Sequence, residues 1–135
     1  MKGLDTSVLL SLLHGDRGAR ELATHLRGLE VATTEANLLE LSFLAVRGPP
    51  RARAARKGAL DRLRRRITVL PIDSRAVEQA ARRVGKGSEK TPPLVVAMLG
   101  ALEANGCDEL YTHETALDPG KWSFRITHVA KHNAK

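Results

Sequence analysis

Cysteine is almost absent. Cys107 is the only one in 135 residues, which excludes an intrachain disulfide framework and any zinc site built from several thiolates. Aromatic side chains are nearly as scarce: Phe43, Tyr111, Trp122 and Phe124 complete the set, too few for a platform on which successive bases of a single strand stack. No run of about 18 uncharged apolar residues occurs, so no membrane span is expected. An apolar signal core with a small-residue cleavage site is also missing, and a cytoplasmic location is the expectation. The five histidines form no His-Glu-x-x-His zinc motif. Acids are outnumbered, 15 Asp and Glu against 22 Lys and Arg, for a net charge of +7 and a pI near 10.2. That excess points to a polyanionic partner, because each phosphate neutralised by Lys or Arg releases condensed counterions. RNA, DNA and acidic protein all meet that condition, although no helix-turn-helix signal supports a DNA-binding regulator.

What is present is a hydrophobic fraction of 42%, spread from Leu4 to Val129, enough for one packed domain over residues 1–135. Lys2 to Asp5 reads as a very short strand, followed by a helix from about Ser7 to Leu13. Residues 17–28 form a second helix, with Leu22 and Leu26 at i, i+4 and Gly28 closing it. Glu30 to Thr33 is a second strand. From Thr34 to about Arg47 a capped helix carries apolar residues nearly all round, so burial on most sides is expected. Gly48-Pro49-Pro50 ends it. Residues 51–66 make an arginine-rich helix, with Arg51, Arg53, Arg56, Lys57, Arg62, Arg64, Arg65 and Arg66 against one acid, Asp61. Ile67 to Leu70 is a third strand, and Asp73 caps a helix through Val84. A polar loop follows from Gly85 to Pro93. Leu94 to Asn105 is an apolar helix, Glu109 to Thr112 a fourth strand, and Arg125 to Val129 an edge strand before a basic tail. Strands separated by helices, with no Asn-Gly hairpin, predict parallel β-α units with helices on both faces. In such sheets ligands gather beyond the C-terminal ends of the strands.

Three carboxylates stand where a site could use them. Asp5 closes the first strand, Glu40 lies inside the third helix, and Glu114 follows the fourth strand. The helical neighbours of Glu40 at i−4, i+3 and i+4 are Ala36, Phe43 and Leu44, which places it on a largely apolar face. A carboxylate desolvated there calls for a cation. Magnesium or manganese suits oxygen ligands, and such an ion activates water and stabilises charge on a phosphate. Each residue also has a plainer reading: Asp5 as a helix cap, Glu40 as the partner of an arginine, Glu114 as a turn residue. The arginine-rich helix is open to the same choice, between gripping phosphates or an acidic partner and being a solvated face.

The segments Gly3-Leu4-Asp5-Thr6-Ser7, Thr33-Thr34-Glu35-Ala36-Asn37-Leu38-Leu39-Glu40, Val69-Leu70-Pro71-Ile72-Asp73 and Leu110-Tyr111-Thr112-His113-Glu114 together resemble the PIN-domain family in order, spacing and total length. The resemblance implies a Rossmann-like three-layer α/β/α sandwich with a mostly parallel sheet of four to five strands. It implies metal-dependent hydrolysis of RNA with Mg2+ or Mn2+, in the manner of VapC-type toxins, with an antitoxin as protein partner and a homodimer as the assembly. Asp5 matches the family's first acid and Glu40 its second, with Glu35 the less favoured match. Thr112 matches the hydroxyl residue before the last acid, Glu114 stands where Asp is usual, and Thr6 beside Asp5 is a supporting residue. Arg51, Arg53, Arg56 and Lys57 would contact RNA or the partner. The family's third acid is expected at or very near Leu94, where this sequence has only apolar side chains. Asp108 precedes the fourth strand and Glu109 opens it, and both are expected at its far end. That departure sets a second expectation beside the first: a PIN-fold module that binds RNA or a protein without cutting.

Overall fold

The computed structural model describes residues 1–85, 88–115, 117 and 122–130. Its elements follow one another as β1 (Lys2–Leu4), α1 (Thr6–His14), α2 (Arg17–His25), β2 (Val31–Thr34), α3 (Glu35–Ala45), α4 (Pro50–Arg66), β3 (Thr68–Leu70), α5 (Ser74–Arg83), a single 3-10 turn at Ser88–Lys90, α6 (Pro93–Ala104), β4 (Glu109–Thr112) and β5 (Arg125–His128). The helices start where the sequence supplies an acceptor for the first free N–H groups. Asp5, Asp16, Thr34 and Asp73 accept from the N–H of Val8, Ala19, Asn37 and Ala76 at 3.1, 2.9, 3.4 and 3.0 Å. Helices α4 and α6 instead begin with Pro50 and Pro93, residues with no N–H to satisfy. Positions 86 and 87 of the expected polar loop, and the basic tail beyond Ala130, lie outside the described residues.

All five strands are parallel, in the order β3-β2-β1-β4-β5. The chain therefore works outward from β1 in one direction, returns, and works outward from β4 in the other, so a crevice opens at the C-terminal ends of β1 and β4. Side chains alternate across the sheet as its period of two requires. Leu4 and Tyr111 join Val8, Leu9, Leu22, Leu26, Leu38, Leu41 and Leu60 from α1 to α4. Ala32, Leu110 and Ile126 join Met98, Leu99 and Leu102 of α6 on the other face. Two cores separated by one sheet make the three layers anticipated from the sequence. Gly100 is where α5 and α6 come closest: a Cβ there would lie 2.3 Å from the Ala76 carbonyl oxygen and 2.9 Å from the Ala80 nitrogen.

One expectation is corrected. Helix α3 is not covered on most sides, since Leu39, Phe43 and Val46 are 55%, 66% and 64% exposed. Its buried stripe is Ala36, Asn37, Leu38 and Leu41. An apolar ring of side chains tells how much surface a helix offers, not how much of it the same chain covers.

Candidate active site

Asp5 and Thr112 end the two central strands side by side. The strand β1 pairs with β4 so that Leu4 faces Tyr111, which brings the next residue of each chain to the same edge. Asp5 is 7% exposed and Thr112 fully buried, and the Thr112 hydroxyl donates a short hydrogen bond to Asp5 Oδ2. The other oxygen, Oδ1, accepts from the Val8 N–H at 3.1 Å and from Ser7 Oγ at 2.6 Å. Asp5 is therefore a helix cap, as its plainer reading held, and also a buried carboxylate without an ion-pair partner among the described residues. Three donors leave part of its acceptor capacity open.

Glu40 reaches the same place from α3. Thr6 Oγ1 lies 2.8 Å from Glu40 Oε1 and 3.0 Å from Asn37 Oδ1. The apolar enclosure expected of Glu40 is corrected, because the residue is exposed and, of its neighbours Ala36, Phe43 and Leu44, only Ala36 is buried while Phe43 is 66% exposed. It is held instead by the hydroxyl of Thr6, the residue that follows Asp5 in the chain. Glu35 accepts instead from the Ile72 N–H at 3.2 Å and braces the turn after β3. Glu114 is exposed, and its backbone N–H donates to Thr112 Oγ1 at 2.9 Å, so its segment begins at the Asp5–Thr112 pair. His113 secures that segment: its N–H donates to Ser7 Oγ at 3.1 Å, Nδ1 donates to the Val129 carbonyl at 2.7 Å, and Nε2 meets Ser11 Oγ at 2.9 Å.

The structure thus joins Asp5, Thr6, Glu40 and Thr112 and attaches the backbone of Glu114 to them. It also adds Asn37, a 5% exposed polar residue that the sequence reading did not single out. Its signal was present, for Asn37 lies one turn before Glu40 at i−3, a helical neighbour as close as the three that were weighed. Leu94 is half-exposed in the first turn of α6. That helix leads into β4 and runs back along it, so its first turn faces the same edge as Asp5, and there it contributes no oxygen. Asp108 and Glu109 are at the opposite edge, as expected. Asp108 pairs with Lys2 Nζ at 2.9 Å, and Glu109 pairs with Lys2 and Arg125 at 3.3 Å each. Burial pushes the Glu109 carboxyl up more than any other single influence. Hydrogen bonds from Thr127, Tyr111, Lys2 and Arg125 together outweigh it and bring the carboxyl down to about 2.

Asp5 is followed in the chain by Thr6, whose hydroxyl holds Glu40, and both carboxylates offer only oxygen, which suits a hard ion; magnesium needs one or two protein carboxylates because it keeps several of its waters. The residues fit such an ion in kind. Among the described residues no three His, Cys, Asp or Glu side chains converge as a finished cage, which accords with the vacancy left by Leu94. Arg51, Arg53, Arg56 and Lys57 are all exposed on α4. The first turns of α4 lie beside the end of α3, where Arg56 donates to the Arg47 carbonyl. Between α1, α3 and α4 runs an apolar groove of about 370 Å3 lined by Leu10, Leu13, Leu41, Leu44 and Ala59, with Arg47 and Arg56 also contributing. Among the described residues no helix is long and apolar enough to cross a membrane.

The PIN-domain family model matches residues 3–93. Among solved structures, VapBC2 from Rickettsia felis, bound to a DNA fragment from its promoter, superposes with a TM-score of 0.79 at 10% identity over 96% of this chain and 98% of that one. VapBC-5 from Mycobacterium tuberculosis, a member of the VapBC family of toxin-antitoxin systems, gives 0.68 at 25% identity over 95% and 98%. VapC20 from Mycobacterium tuberculosis, a toxin that cleaves the sarcin-ricin loop, gives 0.60 at 21% over 93% and 99%. A comparison with curated proteins finds no match.

Proposed function

Because this chain belongs to the PIN-domain family, we propose that it is a VapC-type toxin that hydrolyses RNA phosphodiester bonds with Mg2+ or Mn2+ held by Asp5, Glu40 and Glu114. The observation that carries this reading is Asp5: a buried carboxylate with no ion-pair partner among the described residues, at the switch between β1 and β4, with Glu40 tied beside it through Thr6. An ion bound there would lower the pKa of its water and offset charge growing on the phosphate. The protein's own share is orientation. Val8 N–H, Ser7 and Thr112 fix the direction of the Asp5 carboxylate, and Thr6 restrains Glu40. Arg51, Arg53, Arg56 and Lys57, exposed on α4, attract the RNA backbone by charge, without reading sequence.

The apolar groove between α1, α3 and α4, with Arg47 and Arg56 on it, suits an antitoxin segment that carries apolar anchors and acids. The exposed stripe Leu39, Phe43 and Val46 suits a second copy of the chain. Leu94 favours one competing reading, a PIN-fold module that binds RNA or a protein without cutting. Titration calorimetry with Mn2+ on the purified protein, beside Asp5→Asn, separates the two. Binding that the substitution abolishes is the expected result, and no binding at millimolar metal would remove the hydrolase reading.

A further inference from the structure

The Thr6 hydroxyl that holds Glu40 has a proton-counting problem. Thr6 owns one hydroxyl proton but faces two acceptors, Asn37 Oδ1 at 3.0 Å and Glu40 Oε1 at 2.8 Å. On the far side of the same amide, Thr34 Oγ1 receives two donors, the Asn37 backbone N–H at 3.4 Å and Asn37 Nδ2 at 3.0 Å. The proton that Thr34 itself carries then has no acceptor among the described residues. Thr34 is 0% exposed and Asn37 5%, so bulk water does not make up the difference. One side of Asn37 has an acceptor too many and the other a donor too many.

Exchanging the oxygen and nitrogen of the Asn37 amide, which have nearly the same shape, cures both faults without moving any other atom. Thr34 then donates to Asn37 Oδ1, Asn37 Nδ2 donates to Thr6 Oγ1, and the Thr6 proton goes to Glu40 Oε1 alone. The two hydroxyl protons and the Nδ2 proton that faces Thr6 then have one acceptor each, and these three distances stay between 2.8 and 3.0 Å. From this count we infer that Asn37 is a positioning residue: by donating to Thr6 it commits the only Thr6 proton to Glu40, and so holds an exposed carboxylate beside Asp5. The inference rests on the metal-site reading above for its consequence, since a ligand held in place by a buried partner binds an ion more tightly than one left to roam.

Two measurements test it. The first needs no metal: the side-chain amide protons of Asn37 are followed by NMR in the wild type and in Thr6→Val, which keeps the shape of the side chain but removes the oxygen. A clear shift of one of those protons is expected, and amide protons indifferent to Thr6→Val would overturn the inference. The second is Mn2+ titration of Asn37→Ala, Thr6→Val and the double variant, with folding checked by circular dichroism. Each single change is expected to weaken binding roughly tenfold, and the double change no more than the worse single, because both break one chain. Unchanged affinity in Asn37→Ala, or losses that add, would overturn it. A wild-type protein that takes up no Mn2+ defeats the metal-site reading instead, and the NMR result then decides the role of Asn37 by itself. The same measurement decides if Asn37→Ala fails to fold.

Discussion

Replacing Glu109 by Gln should unsettle the fold and leave the site untouched. The side chain of Glu109 is 7% exposed and holds together the starts of β1, β4 and β5 through Lys2, Arg125, Tyr111 and Thr127. Its carboxyl is brought from 4.5 down to about 2 in the folded protein. At about 1.4 kcal/mol per pH unit, that gap makes the ionised form worth about 3 kcal/mol to the folded state at neutral pH. The sign follows from the direction of the shift. A depressed carboxyl stabilises fully above its unfolded value near 4.5, and the contribution fades as the pH falls through the folded value. Gln keeps the shape but has no charge to lose. For 135 residues, an unfolding entropy of about 2 cal/mol/K per residue converts such a loss to a melting point lower by about 10 °C at pH 7. Urea titrations of wild type and Glu109→Gln at pH 7, 5, 4 and 3 measure this. The two midpoints should lie well apart at pH 7 and 5 and draw together below pH 4.5. A variant as stable as wild type at pH 7, or a deficit that does not change with pH, would refute the reasoning.

Other consequences can be checked alongside it. Gly100→Ala puts a methyl group against the backbone of α5 and should lower the unfolding free energy by about 3 kcal/mol; an unshifted urea midpoint would show that α5 and α6 can separate cheaply. Leu94→Asp restores an acid in the half-exposed first turn of α6. It should change stability by no more than about 0.5 kcal/mol, helped by the helix dipole, while raising Mn2+ affinity roughly tenfold through the added ligand charge; calorimetry showing no gain would place that turn too far from Asp5. Removing two exposed cations together, Arg53→Ala with Lys57→Ala, should reduce the salt dependence of RNA binding by a slope of about 1.4. An unchanged slope in a filter-binding series would assign α4 to something other than the RNA backbone.

Much of the fold was legible because its signals are local. Thr34 and Asp73 announce helix starts by accepting hydrogen bonds that only short polar side chains reach. Alternating β and α signals imply a parallel sheet, although the order β3-β2-β1-β4-β5 depends on long-range pairings that no short segment encodes. Asp5 was legible for the same reason as the caps, since it ends a strand and starts a helix at once. Glu40 was singled out on a wrong premise: its apolar neighbours were real, but Phe43 among them faces solvent, and the hydrogen bond from Thr6 spans 34 residues of sequence. Asn37 escaped because a polar residue near the start of a helix reads as a cap or a surface residue until Thr34 and Thr6, its partners on either side, are located. The far-edge placement of Asp108 and Glu109 followed from strand direction alone, which is why those acids could be set aside before any contact was known.

The most direct test of the central claim is cleavage of a structured RNA by purified protein freed of any antitoxin, with Mn2+, with chelator, and with Asp5→Asn in place of wild type. Cleavage by the wild type with Mn2+ that chelator and Asp5→Asn both abolish is the predicted result. Cleavage that survives Asp5→Asn, or a wild type that binds RNA but leaves it whole at millimolar Mn2+, would contradict the account.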